Sequence, residues 1–426
     1  MSLRVPIERH RLDNGLKVVL SPDRTVPVVA VNLWYGVGSR NEAPGKTGFA
    51  HLFEHMMFQG SAHVPKNRHF ELIEKAGGTL NATTWFDRTN YFDTVPSHEL
   101  DLALWLEADR MGWMLPAMNQ EKLDNQRDVV KNEKRQRYDN QPYGDWAERL
   151  QRLMYPEDHP YHHTVIGSME DIDAATLEDV EQFFQTYYIP NNAVLTVAGD
   201  FDSKSALEAV ERYFGEIASG PPIPSIPGRV DLEPKLGKTA RDHVVAEVPL
   251  PRLIMAFRTP PFSADDFAVS EVCQALLGMG RASRLHRRLV RERRVAKSVV
   301  SYQYPLLTGA SMLLTWATGY PHTDLDMLES ALAEEIEGLR DAEQTEVDRA
   351  IALAETDFVH ALENGASRAD QLSMFELFFD DPGRVNTQLD RLRAVTVEQI
   401  RSFALDHFGP DNRAVLTYEP AARGDR

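Results

Sequence analysis

The most regular hydrophobic pattern in the chain is an apolar stripe at helical spacing that begins at Phe49. Apolar side chains recur at i, i+3, i+4 and i+7 and predict a helix that is buried on most sides; they are Phe49, Leu52, Phe53 and Met56. The opposite stripe carries ionisable groups, at His51, Glu54 and His55. Gly60 follows the periodic run and predicts the end of the helix or a turn beyond it.

A second pattern occurs twice. Residues 176–192 read TLEDVEQFFQTYYIPNN, residues 396–412 read TVEQIRSFALDHFGPDN, and the sequence Ala-Val-Leu-Thr follows each segment. Each copy predicts an amphipathic helix, a Pro-Asn turn and a β-branched strand, which is the ending of an α+β unit. The pattern favours two copies of one fold, although convergence of two ordinary helix-turn-strand segments would look the same.

Between the copies, residues 219–228 are too rich in proline and glycine for a helix or an interior strand, which predicts an extended linker. We therefore expect an N-terminal domain over 1–218, a linker over 219–236 and a C-terminal homologous domain over 237–426. The histidine motif occurs only in the first half. The first domain is thus expected to be catalytic and the second non-catalytic.

Composition narrows these expectations only slightly. The chain has 426 residues, 42% of them hydrophobic, and its formal charge of −18 disfavours nucleic acid as a partner. No apolar tract approaches the roughly eighteen residues that would span a membrane. The first residues lack an apolar signal core, so we expect a soluble protein, cytoplasmic or, if a targeting segment has been removed, periplasmic. The lone Cys273 excludes an intrachain disulfide.

The ionisable stripe has the spacing of a metal site. His51 and His55 lie one helical turn apart, so both rings can bind one tetrahedral cation, and Glu54 lies beside them. With 14 histidines in the chain, this H-x-x-E-H could be a coincidence. However, three ionisable groups in a buried helix cost several kcal/mol unless they are paired or bind a metal. Zinc, with Glu54 for proton transfer, is therefore the favoured interpretation.

A catalytic zinc usually takes a third protein ligand, and Glu133 is the candidate. The segment around it lacks glycine and proline, and one helical stripe directs it inward beside valines; that stripe contains Gln126, Val129, Val130, Glu133 and Arg137. From spacing alone, a solvated glutamate in a charged helix is the commoner outcome.

These segments together resemble the M16 zinc metallopeptidases, the pitrilysin and insulinase family that includes mitochondrial processing peptidase. The resemblance rests on residues 38–40, 47–56, 77–84, 129–133 and 161–167. It implies two homologous domains, each a mixed, mainly antiparallel sheet covered by helices, arranged as half of a clamshell. It also implies one zinc ion per chain, held by His51, His55 and Glu133.

The resemblance further implies hydrolysis of peptide bonds through a zinc-activated water, with Glu54 as general base. An extended peptide is expected to add to the edge of the strand formed by residues 80–84, where Asn81, Ala82 and Thr84 are the candidate substrate-binding residues. Many active members have a glutamate near the third ligand where this chain has Gln126, which can still form hydrogen bonds around the ligands.

A larger departure concerns the second domain, because the family's substrate-binding arginine and tyrosine fall on Val290 and Lys297. Their absence predicts a heterodimer in which a related subunit supplies the missing pair. Alternatively Arg291, one position away, substitutes, and a homodimer suffices. A second class of function is a catalytically silent structural subunit; the intact motif favours the enzyme, since buried polar ligands are expensive to retain without use.

Overall fold

The computed structural model describes residues 4–421, in which the strands form a six-stranded and a five-stranded sheet. Alternating and continuous runs of β-branched and aromatic residues supply these strands. Their bounds are β1 Glu8–Arg11, β2 Lys17–Pro22, β3 Val28–Tyr35, β4 Thr79–Thr84, β5 Thr89–Pro96, β6 Ala193–Gly199, β7 Lys238–Ala246, β8 Arg252–Thr259, β9 Ser298–Tyr304, β10 Ser311–Thr318 and β11 Asn412–Pro420.

The two sheets repeat one topology. The first has the order β1-β2-β6-β3-β5-β4 and the second β7-β11-β8-β10-β9. In each sheet one pair is parallel, β2 with β6 and β7 with β11, and the other pairs are antiparallel. The predicted fold class, two homologous α+β domains with mixed and mainly antiparallel sheets, is confirmed.

The helices cover the sheets. The α-helices are α1 Phe49–Met56, α2 Arg68–Lys75, α3 Leu100–Trp113, α4 Gln120–Lys134, α5 Trp146–Met154, α6 Met169–Ala174, α7 Leu177–Tyr187, α8 Ser203–Phe214, α9 Phe267–Gly278, α10 Leu325–Glu337, α11 Gln344–Glu363, α12 Gly365–Phe379, α13 Gln388–Arg393 and α14 Val397–His407. Shorter 3₁₀ helices span Ser39–Asn41, Ser97–Glu99, Leu115–Ala117, Pro190–Asn192, Gly338–Asp341 and Pro382–Asn386, and π-helices span Arg135–Asp139 and His286–Glu292.

The predicted helix-turn-strand repeat is confirmed in both copies. Thr176 is the N-cap of α7 and Thr396 is the N-cap of α14, and each threonine closes a capping box with the third residue of its helix. Such a cap satisfies backbone N–H groups that the first helical turn leaves without partners. Each helix is followed by an interior strand, β6 or β11, with buried side chains along most of its length.

The chain folds into two compact units that are not contiguous in sequence. Among the described residues, the first contains 4–134, 163–227 and 359–387, and the second contains 135–162, 228–358 and 388–421. Thus α12 packs on β3 and β6 of the first sheet, whereas α5 packs on β7, β8 and β11 of the second. Within the predicted linker, the chain passes from the first unit to the second after Pro227. The catalytic and non-catalytic roles of the two sequence halves stay predictions.

None of the helices within residues 4–421 combines the length and the apolar character needed to cross a bilayer.

Candidate active site

The helix that carries the histidine motif begins at a glycine with a left-handed backbone. Gly48 has φ +87°, a conformation that side chains with a Cβ rarely adopt, and α1 follows it directly. The buried Glu42 carboxylate accepts hydrogen bonds from the Gly48 nitrogen at 2.9 Å and the Ala50 nitrogen at 2.7 Å. It thereby caps the positive end of the helix dipole. The helix ends at Met56, and Gly60 lies in a left-handed turn beyond it.

The structure brings the three candidate ligands together. Nε2 of His55 lies 3.3 Å from Oε2 of Glu133, and Nε2 of His51 lies 3.8 Å from the same oxygen. The two imidazole centroids are 4.8 Å apart. Ligand atoms bound to a tetrahedral zinc at about 2.1 Å lie about 3.4 Å from one another, so this donor set fits zinc. The side chain of His51 is 12% exposed, that of His55 is 23% exposed and that of Glu133 is 17% exposed. The site is therefore open to solvent on one side.

Helix α4 packs against α1 and carries Glu133 on the margin of its buried face. The buried positions of α4 are Leu123, Gln126 and Val130. Val129 is 40% exposed, so the expectation that it shares the inward face was wrong. The reason is helical geometry, because at about 100° per residue Val129 lies on the flank of Glu133 opposite Val130.

Gln126 is 5% exposed, and its side-chain nitrogen donates to Oδ1 of Asn125 at 2.9 Å. It lies on the buried face of α4, about two helical turns before Glu133, which is compatible with a supporting role. That role stays a prediction.

Glu54 lies beside the edge strand of the first sheet. Its Oε2 accepts a hydrogen bond from the Thr84 hydroxyl at 2.5 Å. Burial raises the pKa of Glu54, and the nearby Glu133 charge adds to this rise. The Thr84 hydrogen bond and the charges of His55 and Arg88 oppose it. A carboxyl with a raised pKa is better suited to accept and return a proton near neutral pH than an ordinary glutamate.

Strand β4 is an edge strand of the first sheet, as the sequence predicted, and it pairs antiparallel with β5. Asn81 is exposed, and its Oδ1 accepts a hydrogen bond from the Ala82 nitrogen at 2.9 Å. Ala82 is 7% exposed. Thr84, the last residue of the strand, was expected only to contact substrate, but its hydroxyl also donates a hydrogen bond to the Glu54 carboxylate. The substrate-binding roles of all three stay predictions.

Two groups near the site were missed from the sequence. Arg88, in the β4–β5 turn, donates to the Thr83 carbonyl at 2.9 Å and stacks over Trp34, and its charge acts on Glu54. Nε2 of His163 lies 2.9 Å from Oε2 of the capping Glu42. Neither residue belongs to a periodic pattern, so only the spatial contact identifies them.

The larger departure from the family pattern lies in the second unit. Val290 is partly buried against the hydrophobic core of that unit, whereas Arg291 and Lys297 are exposed. Val290 and Arg291 belong to the π-helix His286–Glu292, whose wider turn changes the angular positions of its side chains. An apolar residue at 290 is therefore used for packing.

Comparison with known proteins gives concordant results over most of the chain. A family model described as insulinase (peptidase family M16) matches residues 17–162, and one described as the peptidase M16 inactive domain matches residues 174–353. A zinc protease, PqqE, of Helicobacter pylori is 34% identical over 85% of this chain and 81% of its own length.

Solved structures agree. The crystal structure of a protease from Helicobacter pylori superposes with a TM-score of 0.91 at 30% identity, covering 98% of this chain and 100% of that one. The periplasmic protease PqqL of Escherichia coli shares the fold with a TM-score of 0.77 at 19% identity; the match covers 98% of this chain and 48% of PqqL.

Proposed function

This chain belongs to peptidase family M16, and on that premise we propose that it is a zinc-dependent endopeptidase acting on short or unfolded peptides. The observation that carries the proposal is the convergence of His51, His55 and Glu133, with the carboxylate of Glu54 on the adjacent turn of the same helix. The names of its relatives as zinc proteases support the choice of metal.

In this proposal His51, His55 and Glu133 hold the zinc ion. The chemistry that zinc supplies when bound is polarisation of a peptide carbonyl and acidification of a water molecule. Glu54 takes a proton from the attacking water and hands it to the leaving amine. Thr84 fixes the orientation of the Glu54 carboxylate, and Gln126 supports the ligand helix.

The substrate would bind as an added strand on β4. The edge of a sheet presents unpaired backbone N–H and C=O groups, and an extended peptide can pair with them along its main chain. The contact between Thr84 and Glu54 places the end of β4 beside the candidate base. A folded protein rarely exposes an extended segment in this way, which is why short or unfolded peptides are favoured.

A related M16 subunit is the proposed partner, in a heterodimer. The chain matches about half of PqqL, so one polypeptide can carry two such halves. The resemblance puts the family's arginine and tyrosine at Val290, which packs against the core, and at Lys297, and this supports the proposal that the second half of this chain lacks the pair. If exposed Arg291 substitutes, a homodimer suffices, and light scattering of the purified chain together with activity of Arg291→Gln would distinguish the two assemblies.

Cleavage of a peptide library by the purified chain tests the function. We expect cleavage that a chelator abolishes and added zinc restores. Glu54→Gln should retain zinc and lose cleavage, while Glu74→Gln, an exposed carboxylate on α2, serves as the matched control and should remain active. If the chain is inactive alone, the assay is repeated with a co-expressed related subunit. Absence of zinc from the purified chain, with no cleavage in either format, would favour the silent structural subunit instead.

A further inference from the structure

A second cluster of ionisable groups lies fully buried in the same unit. His69 from α2, Asp93 from β5 and Glu107 from α3 are 5%, 1% and 0% exposed. One potential ligand atom from each lies within 4.8 Å of the other two. Arg110, one turn beyond Glu107, donates to both oxygens of the Glu107 carboxylate, through Nε at 2.9 Å and through Nη2.

The atoms of this cluster do not satisfy one another. Among the described residues, Nε2 of His69, both carboxylate oxygens of Asp93 and the donor Nη1 of Arg110 have no hydrogen-bond partner. His69 Nε2 is 4.0 Å from Asp93 Oδ1, which exceeds hydrogen-bonding distance. A neutral imidazole at this buried position can present the Nε2 lone pair to a cation. Buried polar groups are nearly always paired, so the unpartnered acceptors need a proton or a cation between them.

The charges lead to the same conclusion. Arg110 binds Glu107, and its charge acts on Asp93 as well, so one positive charge faces two buried carboxylates. With both carboxylates ionised, one negative charge would stay uncompensated at a cost of several kcal/mol. A proton would neutralise Asp93 but would leave His69 Nε2 without a partner. A cation can bind all three side chains.

We propose that His69, Asp93 and Glu107 form a second, structural cation site for a divalent first-row transition metal. One imidazole nitrogen with carboxylate oxygens is a donor set that zinc and manganese accept. The adjacent Arg110 is tolerated because its guanidinium lies 4.2 Å from the ring centroid of Tyr91 and 5.1 Å from that of Phe58, whose faces stabilise a cation.

The site would brace the candidate substrate strand. Asp93 lies on β5, which pairs with β4, and α2 also contacts β4. An ion bound at these residues joins α2, α3 and β5 and thereby limits movement of the edge strand. The inference does not depend on the proposed peptidase activity, since none of its ligands belongs to the first cluster.

Metal content is the test. The double variant His51→Ala/His55→Ala removes the first site, so that elemental analysis after dialysis against a weak chelator reports on the second alone. We expect two ions per wild-type chain, one in the double variant and none when Asp93→Asn is added. Asp370→Asn is the control, because Asp370 is a carboxylate of the same unit that accepts a hydrogen bond from Trp34 at 2.9 Å; it should leave the count at two.

Anomalous diffraction from wild-type crystals grown with zinc or manganese keeps the test decisive if the Asp93 variant does not fold. An anomalous peak among His69, Asp93 and Glu107 is expected. A folded double variant with no metal, or crystals with no peak at this cluster, would overturn the proposal. In either of those cases a proton shared by Asp93 and Glu107 would account for the buried pair. Retention of the ion by a folded Asp93→Asn variant would also overturn the proposal.

Discussion

Replacement of Thr84 by valine isolates the contact between the edge strand and the candidate base. The two side chains have nearly the same shape, so the strand should retain its packing while the 2.5 Å hydrogen bond to Glu54 Oε2 is lost. A hydrogen bond to a charged group contributes about 1.5–3 kcal/mol. Because both partners are partly exposed, the lower end of that range applies.

A loss of about 1.5–2 kcal/mol in transition-state stabilisation corresponds to a roughly 10- to 30-fold fall in kcat/KM. If Thr84 orients Glu54, the fall should appear in kcat, whereas a contact made only with the bound peptide would raise KM. The assay is steady-state cleavage of a fluorogenic peptide chosen from the library, with zinc content measured in parallel.

Thr84→Ser is the matched control, because it retains the hydroxyl and should retain most of the activity. The reasoning would be refuted if Thr84→Val and Thr84→Ser behaved alike, or if the valine variant lost zinc together with activity. A change confined to KM would assign Thr84 to substrate binding and remove its role in orienting the base.

Three further results are expected. Glu54→Gln should lower kcat by about 10²- to 10⁴-fold at unchanged zinc content, measured by single-turnover cleavage and elemental analysis; full activity would exclude Glu54 as the base. Glu42→Gln should weaken the cap of α1 and lower the thermal midpoint, because the buried carboxylate accepts two backbone hydrogen bonds and binds His163; an unchanged midpoint in differential scanning calorimetry would contradict this. Burial raises the pKa of Glu271 from its ordinary 4.5 to about 7. Between these two pH values the folded chain retains a proton that the unfolded chain releases. The free energy of unfolding should therefore fall as the pH rises from 4.5 to 7, by at most about 3 kcal/mol. Glu271→Gln should flatten that dependence in urea titrations at pH 5 and pH 8, and an identical slope for both proteins would show that other groups cause it.

The local features of this protein follow from its sequence alone. The stripe of apolar residues that starts at Phe49 predicted α1 and its buried face, and the spacing of His51 and His55 fixed two donors on one helical turn. The two similar segments that begin at Thr176 and Thr396 predicted a helix, a turn and a strand in each copy. These predictions succeeded because helical period and turn chemistry depend on residues within a few positions of one another.

Only the tertiary structure decided which distant groups meet. Glu133 reaches the histidines because α4 packs on α1, and the same packing turns Val129 outward although both residues fit one sequence stripe. Thr84 meets Glu54, and Glu42 caps α1, through contacts that no local period encodes. Helix α5, from the first half of the sequence, packs in the second unit, and α12, from the second half, packs in the first unit, for the same reason. A hydrophobic pattern specifies that a face must be buried, but the partner that buries it is set by long-range packing of the whole chain.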